Sequence, residues 1–368
     1  MNISGFKFTM TNPLKFMAPP QSREGTVGLD FNHARVIAVE LQKGSNGRPL
    51  LAKLISDPRM AAGTHADAGT EPLSWAPAIL STAALESLLA KAHFSTPKVN
   101  IAISGPAVLT RFVPFPKMTL KELKAAMQYE IEKYIPFESG DVIADYHILG
   151  GDGQDKKNMK VILVAAKKTE ISSLINLFRK THIQIRVIDI HAFACFNAFN
   201  HAHQNSNKGP SVLLDIGSET CSLLVIADTE PAFMREISLG SLDILETFKK
   251  KCGVADIPQK DTDLQSLVSS HAELFREAVE PLVSQIRLSL NYFTHNNPKI
   301  DNPQVIYLSG ELCTLKEFQA DLVRVLEIQP ELWDCLKNID LANDISKEEI
   351  MSSRHLLPIS IGLALRTE

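Results

Sequence analysis

Two aspartates stand near the ends of apolar runs: Asp30 in TVGLDF (26–31) and Asp215 in SVLLDI (211–216). A carboxylate among buried aliphatic side chains is costly unless a cation or hydrogen-bond donors meet it. After Asp215 come Gly217, Ser218, Glu219 and Thr220. The glycine permits close backbone approach, and the amides and hydroxyls of such a turn can point at phosphate oxygens. Asp215 could then hold a hydrated Mg²⁺ that offsets phosphate charge, because magnesium keeps most of its waters and prefers carboxylate contacts. After Asp30 the chain reads Asn32, His33 and Ala34. Asn tolerates a left-handed turn there, so a hairpin survives, but phosphate contact has less support. An ordinary hairpin with an Asp-capped turn explains either segment alone. The recurrence of the acid favours one site built from both, with Asp30 and Asp215 as catalytic carboxylates holding Mg²⁺ through water.

Other chemistries find little support. The chain has no GxxxxGK[ST] loop, no GxGxxG after a strand, no GxSxG elbow and no HExxH helix. His201 and His203 form an HxH pair in a polar stretch without acidic or cysteine partners at ligand spacing, which reads as solvated loop histidines. Lys249, Lys250 and Lys251 suit a helix C-terminus. Lys plus Arg (38) nearly balance Asp plus Glu (42), leaving a net charge of -4 over 368 residues. That is no field for nucleic acid. The five cysteines never form a CxxC pair, which fits a reducing compartment rather than a disulfide framework or zinc site. Apolar runs such as VILVAA (161–166) fall far short of the roughly 18 residues that a membrane span needs. The first residues, MNISGFKFTMTNPLKFMAPPQ, show no secretory pattern. Their aromatics and lysines suit contact with a membrane surface or partner, or a loose tail tied down by a few side chains.

Both acids need a scaffold that brings distant segments together. Residues 25–57 read as three strands around NHAR and GSNG, and the segment from 211 repeats the pattern, ending in FMREISLG. TVGLDF aligns with SVLLDI at a shift of 185 positions, which suggests two related domains rather than a short-period solenoid. Between the copies lie a Gly/Ala-rich loop (60–74), a helical stretch from Ala76 to Lys91 and the strand VNIAIS (99–104). After Gly105 a separate unit begins with the strand AVLTRFVPF. A helix follows, with Thr119 and Glu122 at capping-box spacing, Leu120, Leu123, Met127, Ile131 and Tyr134 on one face, and Pro136 as its stop. The strands DVIADYHILG and MKVILVAA and a helix from Thr169 to Lys180 complete a small α+β module. IQIRVIDI and HAFACFNAF then lead through HAHQNSNKGP into the second copy. Beyond it come a capped helix from Ser241 to Lys251, a polar region near 254–266, a long helix from Ala272 to Thr294 containing Pro281, the strand-turn VIYLSGEL, a further helix and the apolar end LLPISIGLALR.

These residues carry a resemblance. Paired aspartate-ended strands with small-residue hairpins, and a late strand-Ser-Gly turn, resemble the actin-like ATPase superfamily of actin, FtsA and MreB. RFVPFPKMTLKELKAAMQYEIEKYIPFESGDVIADYHILG, with MREISLG and EPLVSQIRLSLNYF, is similar to the PilM family of type IV pilus assembly, whose inserted subdomain resembles that of FtsA.

The resemblance implies an α/β protein with a duplicated actin-like (ribonuclease H-like) two-domain fold and a small α+β insertion. It places a tail at 1–24, a first domain at 25–104 and 183–208, the insertion at 105–182 and a second domain at 209–368. A helical subregion falls at about 241–300, with the final segment available to pack on the first domain. It implies ATP and Mg²⁺ as ligands, with Asn32, His33, Ala34, Gly217, Ser218, Glu219, Thr220, Gly240, Gly310 and Glu311 around the nucleotide. It also implies a cytoplasmic scaffold, peripheral to the inner membrane, that takes the N-terminal peptide of a PilN-like protein near Ala107 to Phe115 and Tyr129 to Phe137. Two departures stand out: Glu311 occupies a position where a second glycine is common, and His191 stands where relatives often carry an acid that orients the attacking water. Asp189 is the remaining acid nearby. An active Mg-dependent ATPase, a sugar kinase and an FtsA-like division protein are the alternatives. A sugar kinase needs a further acid that cannot be assigned, and the chain ends at ALRTE without a terminal amphipathic helix. Self-association is left open.

Overall fold

The computed structural model describes residues 25–31, 35–57, 82–106, 108–150, 157–179, 181–203, 209–258 and 260–366. The tail 1–24, the loop 60–74, the first part of the expected helical stretch (76–81), residues 204–208 of HAHQNSNKGP, Ala107, and the candidate site residues Asn32, His33 and Ala34 lie outside the described residues.

The first half opens with the expected meander: β1 (Thr26–Phe31), β2 (Val36–Lys43) and β3 (Pro49–Asp57). Then come α1 (Thr82–Ala92) and β4 (Lys98–Ile103). A second unit follows, made of β5 (Val108–Pro116), α2 (Leu120–Glu130), β6 (Val142–Ile148), β7 (Asn158–Lys167) and α3 (Lys168–Arg179). The chain returns through β8 (Gln184–Ile190) and α4 (His191–Ala202).

The second half repeats the meander as β9 (Ser211–Ile216), β10 (Cys221–Ala227) and β11 (Glu230–Ile237). Three helices follow: α5 (Ser241–Cys252), α6 (Asp261–Ser270) and α7 (Ala272–Asn296). β12 (Val305–Gly310), α8 (Lys316–Leu326), β13 (Gln329–Leu332), β14 (Asp340–Leu341), α9 (Lys347–Ser353) and α10 (Pro358–Ala364) complete the chain.

Three sheets result, ordered β14-β3-β2-β1-β4-β8, β11-β10-β9-β12-β13 and β5-β7-β6. β1 and β9 occupy equivalent places. Each pairs antiparallel with the strand that follows it and parallel with a later one, β4 or β12. Sheets of this mixed kind present their ligand crevices beyond the carboxyl ends of the strands. Asp30 and Asp215 stand at those ends.

The period-two alternation of β9 explains the acid's direction. Val212, Leu214 and Ile216 enter a core with Phe248 of α5, Phe275 and Val279 of α7 and Phe318 of α8, whereas Leu213 joins the core of the first half. Asp215 shares the Leu213 face, toward the other half of the molecule.

The third sheet has its own core, in which Leu123 and Met127 of α2 pack against Val113, Phe115 and Val161. α2 carries the full capping box: Thr119 Oγ1 accepts from the Glu122 amide at 3.3 Å, and Glu122 Oε2 accepts from the Thr119 amide at 2.7 Å. Such a cap contributes about 1 kcal/mol.

Leu120 departs from the expected buried face. It opens the first turn and is 68% exposed, while Leu123 is fully buried. The polar region near 254–266 contains the start of α6, whose first turn carries Asp261 and Asp263 where the helix dipole favours acids. Ser241 is the first residue of α5 rather than its cap. Gly240 holds the cap position, and its amide donates to Asp243 Oδ2 at 3.0 Å.

The last segment returns to the first sheet. β14 pairs parallel with β3, and α10 lies against β1 and α4.

Candidate functional site

Asp215 is fixed by its sheet neighbour. Ser309 of β12 lies in register with it and donates its hydroxyl to Asp215 Oδ1 at 2.6 Å. Burial raises the Asp215 carboxyl to about 6 against the pull of that bond. Asp30 is less supported. Its Oδ1 is buried without a hydrogen-bond partner and lies 3.5 Å from His191 Nε2. Burial raises Asp30 to about 7, with Arg35 opposing the shift and Glu311 adding to it. His191 is pushed down to about 4 by burial, so its ring is neutral near pH 7 and supplies no counter-charge.

The turn after β9 is held from behind. The Gly217 amide donates to the Thr220 carbonyl at 3.0 Å, and the Ser241 and Leu242 amides at the start of α5 donate to the carbonyls of Gly217 and Ser218. On the opposite side, Gly310 adopts φ +83, where a side chain would be strained and its Cβ would fall 2.3 Å from the Ile216 carbonyl oxygen. The Glu311 amide then donates to that same carbonyl at 2.7 Å.

One cleft therefore gathers Asp30, Asp215, Gly217, Ser218, Glu219, Thr220, Gly310 and Glu311, together with Arg35, Ser104 and His191. Gly240 stands behind the turn, outside the lining. Asp189 is also outside: it is ion-paired with Arg366 Nη1, and its Oδ1 accepts the Ile190 amide at 2.8 Å.

Arg35 and Ser104 escaped the sequence reading. Arg35 is an isolated cation one position before β2, and nothing in its local pattern points to the second half.

The space near the acids is narrow, about 30 Å³, enough for roughly one or two waters. A second cavity of about 740 Å³ adjoins it, sharing Arg35, Glu311 and Leu356 and lined further by Leu242, Leu245 and Lys249 of α5, Leu264 of α6 and Leu315 before α8. Arg35 Nε and Glu311 Oε1, 3.5 Å apart, lie between the two compartments, and Ser241 Oγ donates to Glu311 Oε2.

Two mixed sheets of matching order that face a shared cleft, with a third-sheet module inserted in the first half, define an actin-like protein. The chain belongs to the family described as type IV pilus assembly protein PilM, which matches residues 28–368. Among solved structures it is similar to a PilM-PilN type IV pilus biogenesis complex, with a TM-score of 0.76 and 24% identity over 94% of this chain and 99% of that chain. It is more distantly similar to the ethanolamine utilization protein EutJ from Carboxydothermus hydrogenoformans, with a TM-score of 0.48 and 13% identity over 96% of this chain and 99% of that one. The archaeal actin homolog Ta0583 gives a TM-score of 0.43 and 13% identity over 92% of this chain and 98% of that one. Among the described residues no helix is long and apolar enough to cross a membrane.

Proposed function

We propose that this chain is a nucleotide-responsive scaffold of a type IV pilus or related inner-membrane platform. It binds ATP with Mg²⁺ in the cleft and, at the inserted module, the N-terminal cytoplasmic peptide of a PilN-like membrane protein. Through that peptide it sits under the inner membrane. The observation that carries the nucleotide reading is the convergence of Asp30 and Asp215, one of them with a buried oxygen lacking any donor, on a turn of small residues.

The two carboxyls suit a hydrated cation by their chemistry, and the narrow space beside them must open to admit one with its waters. Both carboxyls are raised because burial is not offset by enough positive charge. Asp30 and Asp215 would hold Mg²⁺ through waters, and the ion would supply charge neutralisation for the phosphates. Gly217, Ser218 and Thr220 would present amides and hydroxyls to phosphate oxygens, and the wide compartment past Gly310 would take the nucleoside. Glu311 stands in the connecting passage and must move for a nucleotide to reach both parts.

Hydrolysis is expected to be slow. His191, pushed down to about 4, is a weak base, and Asp189 is committed to Arg366, so neither is well suited to activate an attacking water. Calorimetry with Mg-ATP tests the binding role: wild type should bind, and Asp215→Asn should bind at least tenfold more weakly. No heat from wild type at saturating Mg-ATP would reject it.

The peptide reading is supported by two large apolar side chains left open on α2, Leu120 and Tyr129, the latter 79% exposed. Tyr129 opens the segment from Tyr129 to Phe137, and an exposed ring of this kind suits an anchor contact with an extended peptide. Titration with the N-terminal segment of the cognate PilN-like protein tests it, and absence of binding would remove the scaffold role.

A further inference from the structure

β11 is an edge strand of the second sheet, and two of its carboxylates leave that sheet to meet backbone amides around the inserted module. Glu230 Oε1 accepts the Gly150 amide at 3.1 Å, just past β6. Glu236 Oε1 accepts the Gly105 amide at 2.5 Å. Gly105 is where the chain leaves β4 for β5. It has φ +87, and its carbonyl accepts the Val108 amide at 3.0 Å, closing the turn that aims β5 into the third sheet.

The same Glu236 oxygen also accepts the Thr220 hydroxyl at 2.9 Å. Thr220 belongs to the turn that lines the cleft. A single carboxylate oxygen thus joins the cleft's turn to the first turn of the inserted module, across segments distant in sequence.

Its chemistry makes the junction responsive. A threonine hydroxyl has one proton to donate, so it can serve Glu236 or a phosphate oxygen but not both fully. A phosphate arriving at the turn competes for that proton and places negative charge near the Glu236 carboxylate. Burial raises the Glu236 carboxyl to about 7, against the pull of both bonds. Released from Thr220, its Oε1 is left to the Gly105 amide alone, so the hold on Gly105 tightens.

We propose that Glu236 is a positioning residue that couples the phosphate turn to the inserted module, so that nucleotide in the cleft changes the module's affinity for its peptide. The proposal rests on the nucleotide and peptide reading given above. Coupling of this kind is reciprocal: the peptide changes nucleotide affinity by the same factor.

The test compares peptide affinity with and without Mg-ATP in wild type, Glu236→Gln and Glu236→Ala, using the N-terminal segment of the cognate PilN-like protein. Wild type should show a ratio of roughly fivefold or more, in the usual range for coupled sites. Glu236→Ala should bring that ratio to about one while each ligand alone still binds, and Glu236→Gln, which keeps an acceptor oxygen, should retain part of it. Hydrogen exchange gives a second readout that requires no peptide. Mg-ATP should slow exchange at Gly105 and Val108 in wild type, whereas in Glu236→Ala these amides should exchange fast from the start and not respond.

A wild-type coupling ratio preserved in Glu236→Ala overturns the proposal, as does a ratio of one in wild type although both ligands bind. Failure of wild type to bind Mg-ATP in the absence of peptide overturns the underlying nucleotide reading, and the coupling with it. Should Glu236→Ala fold poorly, the comparison of wild type with Glu236→Gln decides by the same ratio.

Discussion

Arg35 Nε lies 3.5 Å from Glu311 Oε1, and this ion pair joins the two halves of the molecule where the narrow cavity adjoins the wide one. Glu311 follows the Gly310 turn and Arg35 precedes β2, so the pair bridges the matching sheets at their shared crevice. Glu311 is a carboxylate that lines both the narrow and the wide cavity.

Removing that anion should therefore help a nucleotide. Glu311→Ala is expected to bind Mg-ATP about tenfold more tightly than wild type, equivalent to about 1.4 kcal/mol. Calorimetry checks it. Equal or weaker binding would show that Glu311 does not obstruct the passage.

The raised carboxyls make a pH prediction. Asp30 in the folded chain titrates at about 7 against an ordinary 3.8, so between those values the folded state holds more protons than the unfolded one. Stability from this group therefore falls as pH rises through that window, and its full cost is present above about 7. Asp30→Asn, which cannot ionise, should stabilise the unliganded protein on the order of 2–4 kcal/mol at pH 8 and little at pH 4, at about 1.4 kcal/mol for each tenfold change in acid dissociation constant. His191 gives the opposite slope between about 4 and 6.5, so the quantity to read is the difference between variant and wild type in urea unfolding. A difference that does not vary with pH would contradict this account.

Arg366 is almost wholly buried beside Asp189, and its carbonyl accepts from Asn100 Nδ2 at 3.1 Å and Arg186 Nη2 at 2.8 Å. Truncating one partner of a buried ion pair leaves the other charge unmet. Arg366→Ala is expected to cost about 3 kcal/mol, seen as a lower urea midpoint. The double variant Arg366→Ala with Asp189→Asn should recover part of the loss, and no recovery would mean that the pair is not the cause.

Tyr129 and Leu120 make little use of the module's core. Tyr129→Ser should leave thermal stability within about 0.5 kcal/mol, as is usual for exposed positions. It should weaken binding of the PilN-like N-terminal peptide by more than 1 kcal/mol if the ring is an anchor. Fluorescence anisotropy with labelled peptide measures the second quantity, and unchanged affinity would show that the peptide does not bind at this ring.

Much of the architecture was legible in the chain because its signals are local. The runs around Asp30 and Asp215 have the length and composition of central strands, Thr119 and Glu122 are three residues apart as a capping box requires, and VIYLSGEL ends in the turn that Gly310 forms. α6 was missed because its polar opening hides the few apolar contacts of a short helix, and Leu120 was misplaced because the first turn of α2 projects beyond the module's core.

By itself, the sequence determined the repeated strand-turn-strand units, the acid at the end of each, and membership of a family with an inserted module. Only the tertiary structure decided that Glu311 faces Arg35, that Asp189 belongs to Arg366, that β14 returns to β3, and that Glu236 joins Thr220 to Gly105. Helix and strand periodicity records contacts between residues a few positions apart. A side chain's partner from another sheet leaves no trace in that spacing and is set by how the packed halves come together.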